Sequence, residues 1–314
     1  MTEQRTNFDH YVAQHYVKRF ANNSGFMFVG NISNRSIIET SDVTRIMGER
    51  NWSVTQQIED AFSSVESSVA RAFTRIKEDP TSIEGLALTT KRGLADFIVI
   101  HLARSAGIHN FMNTSTEQFE AVLSDMAPDD FDIRSLGLRP STRPETLQLG
   151  VSVGEDFEPI FRMKGCVALR PSAGKEFILG DNPFVSLTSQ NDIFKQGEIF
   201  AAETYFWLPL NPQLGIFMAK DIGNKLFEGK IILGNASEKL TNTINRAESY
   251  LASNYIVGSR RGVIRNKLRI PNIGNNRSEV VRYGFSPIVI SNNLNYLKIE
   301  PDIIATLKQQ FNPS

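Results

Sequence analysis

The chain has 314 residues, room for one large domain or two closely packed ones. Apolar residues make up 41% and charged residues 22%, and 34 Lys plus Arg cancel 34 Asp plus Glu, so the whole-chain charge selects neither nucleic acid nor an anionic membrane as partner. Cys166 is the single cysteine, which excludes an internal disulfide and a thiolate zinc cluster.

The opening MTEQRTNFDH lacks a basic flank followed by an apolar run. A short helix is predicted over residues 11–20, then a hairpin over 26–39 with Asn22, Gly25 and Asn31 as turn formers. Ser53 is placed to cap a helix running to about Lys77, because Ile58, Phe62, Val65, Val69, Ala72, Phe73 and Ile76 recur at helical spacing; Pro80 ends it. The next helix, residues 83–106, is apolar nearly all round through Leu94, Phe97, Ile98, Val99, Ile100 and Leu102, as a central helix packed by the first. Its apolar window is about half a membrane span and holds Asp96 and His101, so no membrane association and a cytoplasmic setting are expected.

Residues 128–146, with Pro128, Pro140, Pro144 and the acids Asp129, Asp130 and Asp132, read as a connecting loop. Beyond it, short β-prone runs at 167–169, 176–179, 184–187, 205–208, 215–218 and 231–233 predict a sheet. Helices over 237–253, capped by Ser237, and over 301–310 are placed to cover it. The expected class is α+β: a helical region, 1–127, packed on a mixed or antiparallel sheet with covering helices in 147–314, compatible with one continuous domain.

Residues 10–20, HYVAQHYVKRF, resemble the opening of a bacterial family catalogued as domain-of-unknown-function family 4238 (DUF4238), whose members begin His-Tyr-Val-Pro-Gln. Ala13 stands in place of the Pro, and Val17 in place of a Leu. IEDAFSSVES, FIVIHLARS, FILGDNPFV and WLPLNP follow in the family's order, so the resemblance covers most of the chain. It implies no reaction, substrate or cofactor.

Chemistry is therefore read from the residues. Glu59 and Glu66, seven apart, share the flank of the first long helix's apolar stripe. Arg104 and His101 share the face of Phe97 and Leu94, where a guanidinium needs a carboxylate, and Glu59 and Glu66 are the nearest by sequence. Asp181 and Asn182, before Pro183, are held extended at a strand end. With His10 these form a candidate catalytic cluster: His10, Glu59, Glu66, Arg104, Asp181 and Asn182. A Mg or Mn site through Glu59, Glu66 and Asp181 is an expectation of the same reading.

Other motifs carry less. GVSVG at 150–154 matches a serine nucleophile elbow, but all four histidines, His10, His15, His101 and His109, precede Ser152, the wrong order for that architecture. His10 and His15 lie about 140° apart round a helix and do not face one metal. Glu228-Gly229-Lys230, with Asp181 or Asp221 as the upstream acid, is a poor match to the E-x-K strand of metal-dependent nucleases. No P-loop or dinucleotide fingerprint occurs. Arg260, Arg261, Arg265, Lys267, Arg269, Arg277 and Arg282 against one acid, Glu279, are the one clear charge asymmetry.

Two functions follow as expectations. One is a hydrolase acting on a nucleic acid or nucleotide, with the cluster as its site and Arg260, Arg261, Arg265, Lys267 and Arg269 holding phosphates. The other is a non-enzymatic binding or interaction protein whose polar cluster locks the fold.

Overall fold

The computed structural model describes residues 8–50, 56–104, 158–189, 202–268, 278–283, 286–291 and 296–312. Outside them lie Ser53, the 128–146 connection, the GVSVG motif, Arg269 and Arg277. The architecture is α+β, as the run pattern predicts.

The centre is a mixed sheet built from β5 (Gly165–Arg170), β7 (Val185–Thr188), β8 (Thr204–Asn211), β9 (Leu214–Ala219), β10 (Asn224–Lys225), β11 (Ile232–Asn235) and β15 (Tyr296–Lys298). Antiparallel pairing runs β5-β9-β8-β7, and β15 joins β7 in parallel. The free edge of β5 is shared end to end, by β10 antiparallel at Gly165 and Cys166 and by β11 parallel from Val167 to Arg170.

Both faces of this sheet are covered, which explains why β8 and β9 are buried at every position and carry continuous apolar runs rather than alternating. Side-chain alternation sends Phe206, Leu208, Ile216 and Met218 to one face and Tyr205, Trp207 and Phe217 to the other. The first face packs on α1 (Gln14–Val17), α2 (Gln56–Glu78) and α3 (Leu88–Arg104) through Tyr16, Phe20, Phe73, Phe97 and Ile98. The second packs on α5 (Glu238–Leu251) and α7 (Pro301–Phe311) through Leu240, Ile244, Ile304 and Leu307. A further helix, α4 (Glu158–Met163), leads into β5.

A second sheet has the order β3-β2-β12-β6, from β2 (Met27–Asn31), β3 (Ile37–Thr40), β6 (Leu179–Gly180) and β12 (Tyr255–Gly258). The predicted N-terminal hairpin is β2-β3, and it pairs with strands from the distal part of the sequence. Helix α6 (Arg261–Leu268) lies on β2 and β12 so closely that a Cβ at Gly30 would come within 2.7 Å of Ile264. Two small pairs complete the description: β1 (Phe8–His10) with β4 (Gly48–Arg50), and β13 (Ser278–Tyr283) with β14 (Ser286–Ser291).

Two boundaries differ from expectation for identifiable reasons. The second long helix starts at Leu88, because Asp79 caps a 3-10 turn over Pro80–Gly85 by accepting from the Thr81 amide, and Leu86 beyond it is extended. The run at 176–179 contributes only Leu179–Gly180 to a ladder. Ahead of it the Asn245 side chain takes the strand partner's place, accepting from Ile178 N at 3.1 Å and donating to Glu176 O at 2.7 Å.

Candidate functional site

Five of the six expected site residues fall into two places. The first is the junction of β1, α1, α2 and α3. Arg104, at the last turn of α3, reaches Glu66 of α2 with Nη1 to Oε1 at 2.8 Å, donates from Nη2 to the His10 carbonyl, and stacks over Phe62 at 4.9 Å. The pair is deeply placed, with the Arg104 side chain 5% and the Glu66 side chain 14% exposed. It is the partnership that a guanidinium on α3's apolar face requires.

His10 is half-buried and lies 3.1 Å from Val43 O through Nε2, with the Gln14 amide 3.3 Å from the ring nitrogens. Nε2–H donating to Val43 O and Nδ1 accepting from Gln14 satisfies both contacts with a neutral ring. Glu59 belongs to α2 by its backbone, and its side chain lies outside the described residues.

Around this junction sit three groups of which sequence reasoning made less. His101 is buried, its Nδ1–H donating to Phe97 O at 3.0 Å and its Nε2 accepting from Ala13 N at 3.5 Å. Burial pushes its pKa down to about 3, so it is a neutral packing imidazole against Phe97 and Tyr16. The Ala13 amide in that bond is one a proline at this position would lack. His15 stands 3.9 Å from Glu66, yet burial and the nearby Arg19 lower it to about 4. Arg19 itself is 7% exposed, donates to Ala70 O, lies over Phe73 at 4.9 Å, and has no acidic partner among the described residues.

The second place is where β6 leaves the ladder. Asp181 has zero exposure, and its carboxylate accepts from three consecutive amides, Ser253 at 2.6 Å, Asn254 at 2.7 Å and Tyr255 at 3.1 Å. Burial pushes its pKa up to about 6, against the downward pull of those amides. Asn182 donates from Nδ2 to Leu251 O at 2.5 Å and to Ser253 Oγ at 3.4 Å. Together they cap the end of α5 and shape its turn into β12. Among the described residues Asp181 makes no contact with His10, Glu66 or Arg104.

Glu248, which sequence reasoning missed, is the neighbour that matters here. It is fully buried, accepts from Gly180 N through Oε2 at 2.7 Å, and leaves Oε1 without a partner among the described residues. Burial first, and after it the Asp181 charge, raise its pKa well above the ordinary carboxylate value, against the downward pull of the Gly180 amide. A Cβ at position 180 would come within 2.7 Å of Glu248 O, which is why glycine stands there. The signal was available: Glu248 is one turn beyond Ile244, inside the stripe that α5 lays on the sheet.

The basic stretch divides as well. Arg260 is tied down, with Nε on Glu176 Oε2 at 2.8 Å and Nη1 on Gly174 O at 3.0 Å. Arg261 and Arg265 are exposed on α6. Lys267 lies against α5, and burial, Arg246 and Lys175 together lower its ammonium pKa. Arg246 of α5 and Lys175 of the loop after β5 therefore both lie near Lys267. Of Arg282 only the strand position, in β13, is described.

Among the described residues no three or more His, Cys, Asp or Glu side chains are grouped so as to hold a metal ion. The expected Mg or Mn ligands are engaged otherwise, Glu66 by Arg104 and Asp181 by amides. Nor is any helix among them long and apolar enough to cross a membrane.

The fold and these clusters define an α+β protein with two buried polar clusters. The chain belongs to the family described as a protein of unknown function (DUF4238), whose sequence profile matches residues 9–262, from the strand before α1 to the start of α6. No curated protein and no solved structure matches the chain.

Proposed function

We propose that this is a non-enzymatic binding protein that takes phosphate-bearing ligands, nucleic acid or nucleotide, on the cationic face of α5 and α6, while its buried polar clusters hold the fold. The observation that carries the reading is the convergence on Lys267: Arg246 of α5 and Lys175 of the β5–β6 loop both depress its pKa, while Arg261 and Arg265 are exposed on the other flank of α6. Lys175 has an exposed partner in Glu238 at 3.0 Å, a pair weak enough to yield to a phosphate. Arg260 is excluded, because Glu176 already neutralises it.

The supporting observation is that Asp181 has every described hydrogen bond directed to backbone amides at zero exposure, leaving no open face for a substrate. Fluorescence anisotropy with labelled single-stranded DNA and RNA tests the proposal. Arg246→Glu and Lys267→Glu are each expected to weaken binding about tenfold or more, an effect that shrinks as salt rises.

A hydrolase acting on the same ligands is a second reading, and one observation favours it. His10, half-buried, adjoins the Glu66–Arg104 pair through its own carbonyl. Under that reading His10 transfers protons and Arg104 steadies negative charge. A nuclease and phosphatase screen in which His10→Ala abolishes turnover without lowering the melting temperature would support it over the binding reading.

A further inference from the structure

A cleft of about 660 Å³ opens between α3, α4 and the turn after β10, away from both clusters. That is within the usual range for a small-molecule site, about 300–1,000 Å³. One stripe of α3 lines it, Leu88, Arg92, Ala95, Asp96 and Val99, at the spacing of a single helical face. Phe161 and Arg162 of α4 and Lys225, Phe227 and Glu228 of the turn complete the wall.

The floor is apolar, with Phe161 and Phe227 edge to face at 6.2 Å. The rim is charged in an uneven way. Lys225 and Glu228 pair with each other at 3.4 Å. Arg92 and Asp96, one turn apart, close no ion pair, and Arg92 has none among the described residues. Partial burial raises the Asp96 pKa, although the residue stays exposed at the rim. Of four exposed large apolar side chains among the described residues, two are here: Leu88, 47% exposed, lines the cleft, and Met163, 55% exposed, follows Arg162.

We infer that this cleft binds a small aromatic anion, its ring seated against Phe161 and Phe227 and its carboxylate or phosphate held by Arg92 and Arg162. An aromatic edge contact with two rings and a guanidinium on an anion are individually modest, and their combination in one cleft gives selectivity against ligands that carry only one of the two features. Asp96 faces the same space and accepts a hydroxyl or amine of the ligand.

Isothermal titration calorimetry on the full chain separates the possibilities. The probes are adenosine monophosphate and 2-naphthoate, with adenosine, naphthalene-2-methanol and inorganic phosphate as the ring-only and anion-only controls. The expected result is binding of one or both aromatic anions and of none of the controls; which anion binds distinguishes a phosphate-bearing from a carboxylate-bearing ligand. Arg92→Glu, at an exposed position, is expected to weaken that binding at least tenfold at an unchanged melting temperature, and binding that survives in Arg246→Glu belongs to the cleft rather than to the α5–α6 face. The inference is overturned if neither aromatic anion binds tighter than about 1 mM, if the controls bind equally well, or if Arg246→Glu rather than Arg92→Glu abolishes binding.

Discussion

Asp181 and Glu248 are neighbouring buried acids with different partners, and that difference is testable by isosteric exchange. Asp181, with a pKa of about 6, is ionised at pH 7 and accepts from three N–H groups. Asparagine offers one oxygen and turns an NH₂ toward a donor, so Asp181→Asn is expected to cost about 1–3 kcal/mol in urea denaturation at pH 7. Glu248, its pKa raised by burial, accepts from a single amide, which a glutamine oxygen also does, so Glu248→Gln is expected to leave stability at pH 7 close to the parent value. The pH dependence has two signs. His101 stays neutral in the fold down to about 3, while the unfolded chain protonates near 6.5, so its contribution is lost as pH falls from 6.5. Asp181, raised from 3.8 to about 6, takes up its proton first in the folded state, and stability is gained as pH falls from 6 toward 4. Urea titrations at pH 7 and pH 5 should therefore show His101→Gln costing less at pH 5, and Asp181→Asn costing more.

At the scale of elements, α2 and α3 are joined by close packing and one ion pair. A Cβ at Gly93 would come within 2.7 Å of Ser68 Oγ, and beside this contact Glu66 meets Arg104. Glu66→Ala leaves a guanidinium 5% exposed without its carboxylate, and a loss of about 3 kcal/mol is expected. The double variant Glu66→Leu, Arg104→Met is expected to recover much of it in the same denaturation measurement, because two apolar side chains replace a desolvated pair. This pairing was legible in the sequence: Arg104 lies on an apolar helical face, and Glu66 flanks the matching stripe. So were α5 with its Ser237 cap, which accepts from Leu240 N at 3.1 Å, and the Pro80 stop after α2. The truncated β6 was not, because it depends on Asn245, a side chain 67 residues distant from Ile178, replacing a strand.

Over the whole molecule, the helix-sheet-helix arrangement was legible as a class, since residues 205–208 of β8 and 216–218 of β9 are continuous apolar runs, which suit a sheet covered on both faces. The union of the N-terminal hairpin with β12 and β6 was hidden, because register between strands more than 200 residues apart leaves no local periodicity. For the same reason a single polar cluster was expected where the fold makes two: Asp181 is drawn to the 253–255 amides and Arg104 to Glu66, and nothing in local spacing sets the distance between them. The same folding brings Lys175, Arg246 and Lys267 to one face from three separate stretches, and only the last belongs to the basic run visible in the sequence.

That face is the centre of the functional account, and the salt dependence of single-stranded DNA and RNA binding tests it most directly. Neutralising about three phosphates by Lys175, Arg246 and Lys267 predicts a slope of log Kobs against log salt of roughly −2. Arg246→Glu and Lys267→Glu should each flatten it. Binding that is absent at low salt, or equally tight and equally salt-sensitive in both variants, would contradict the account.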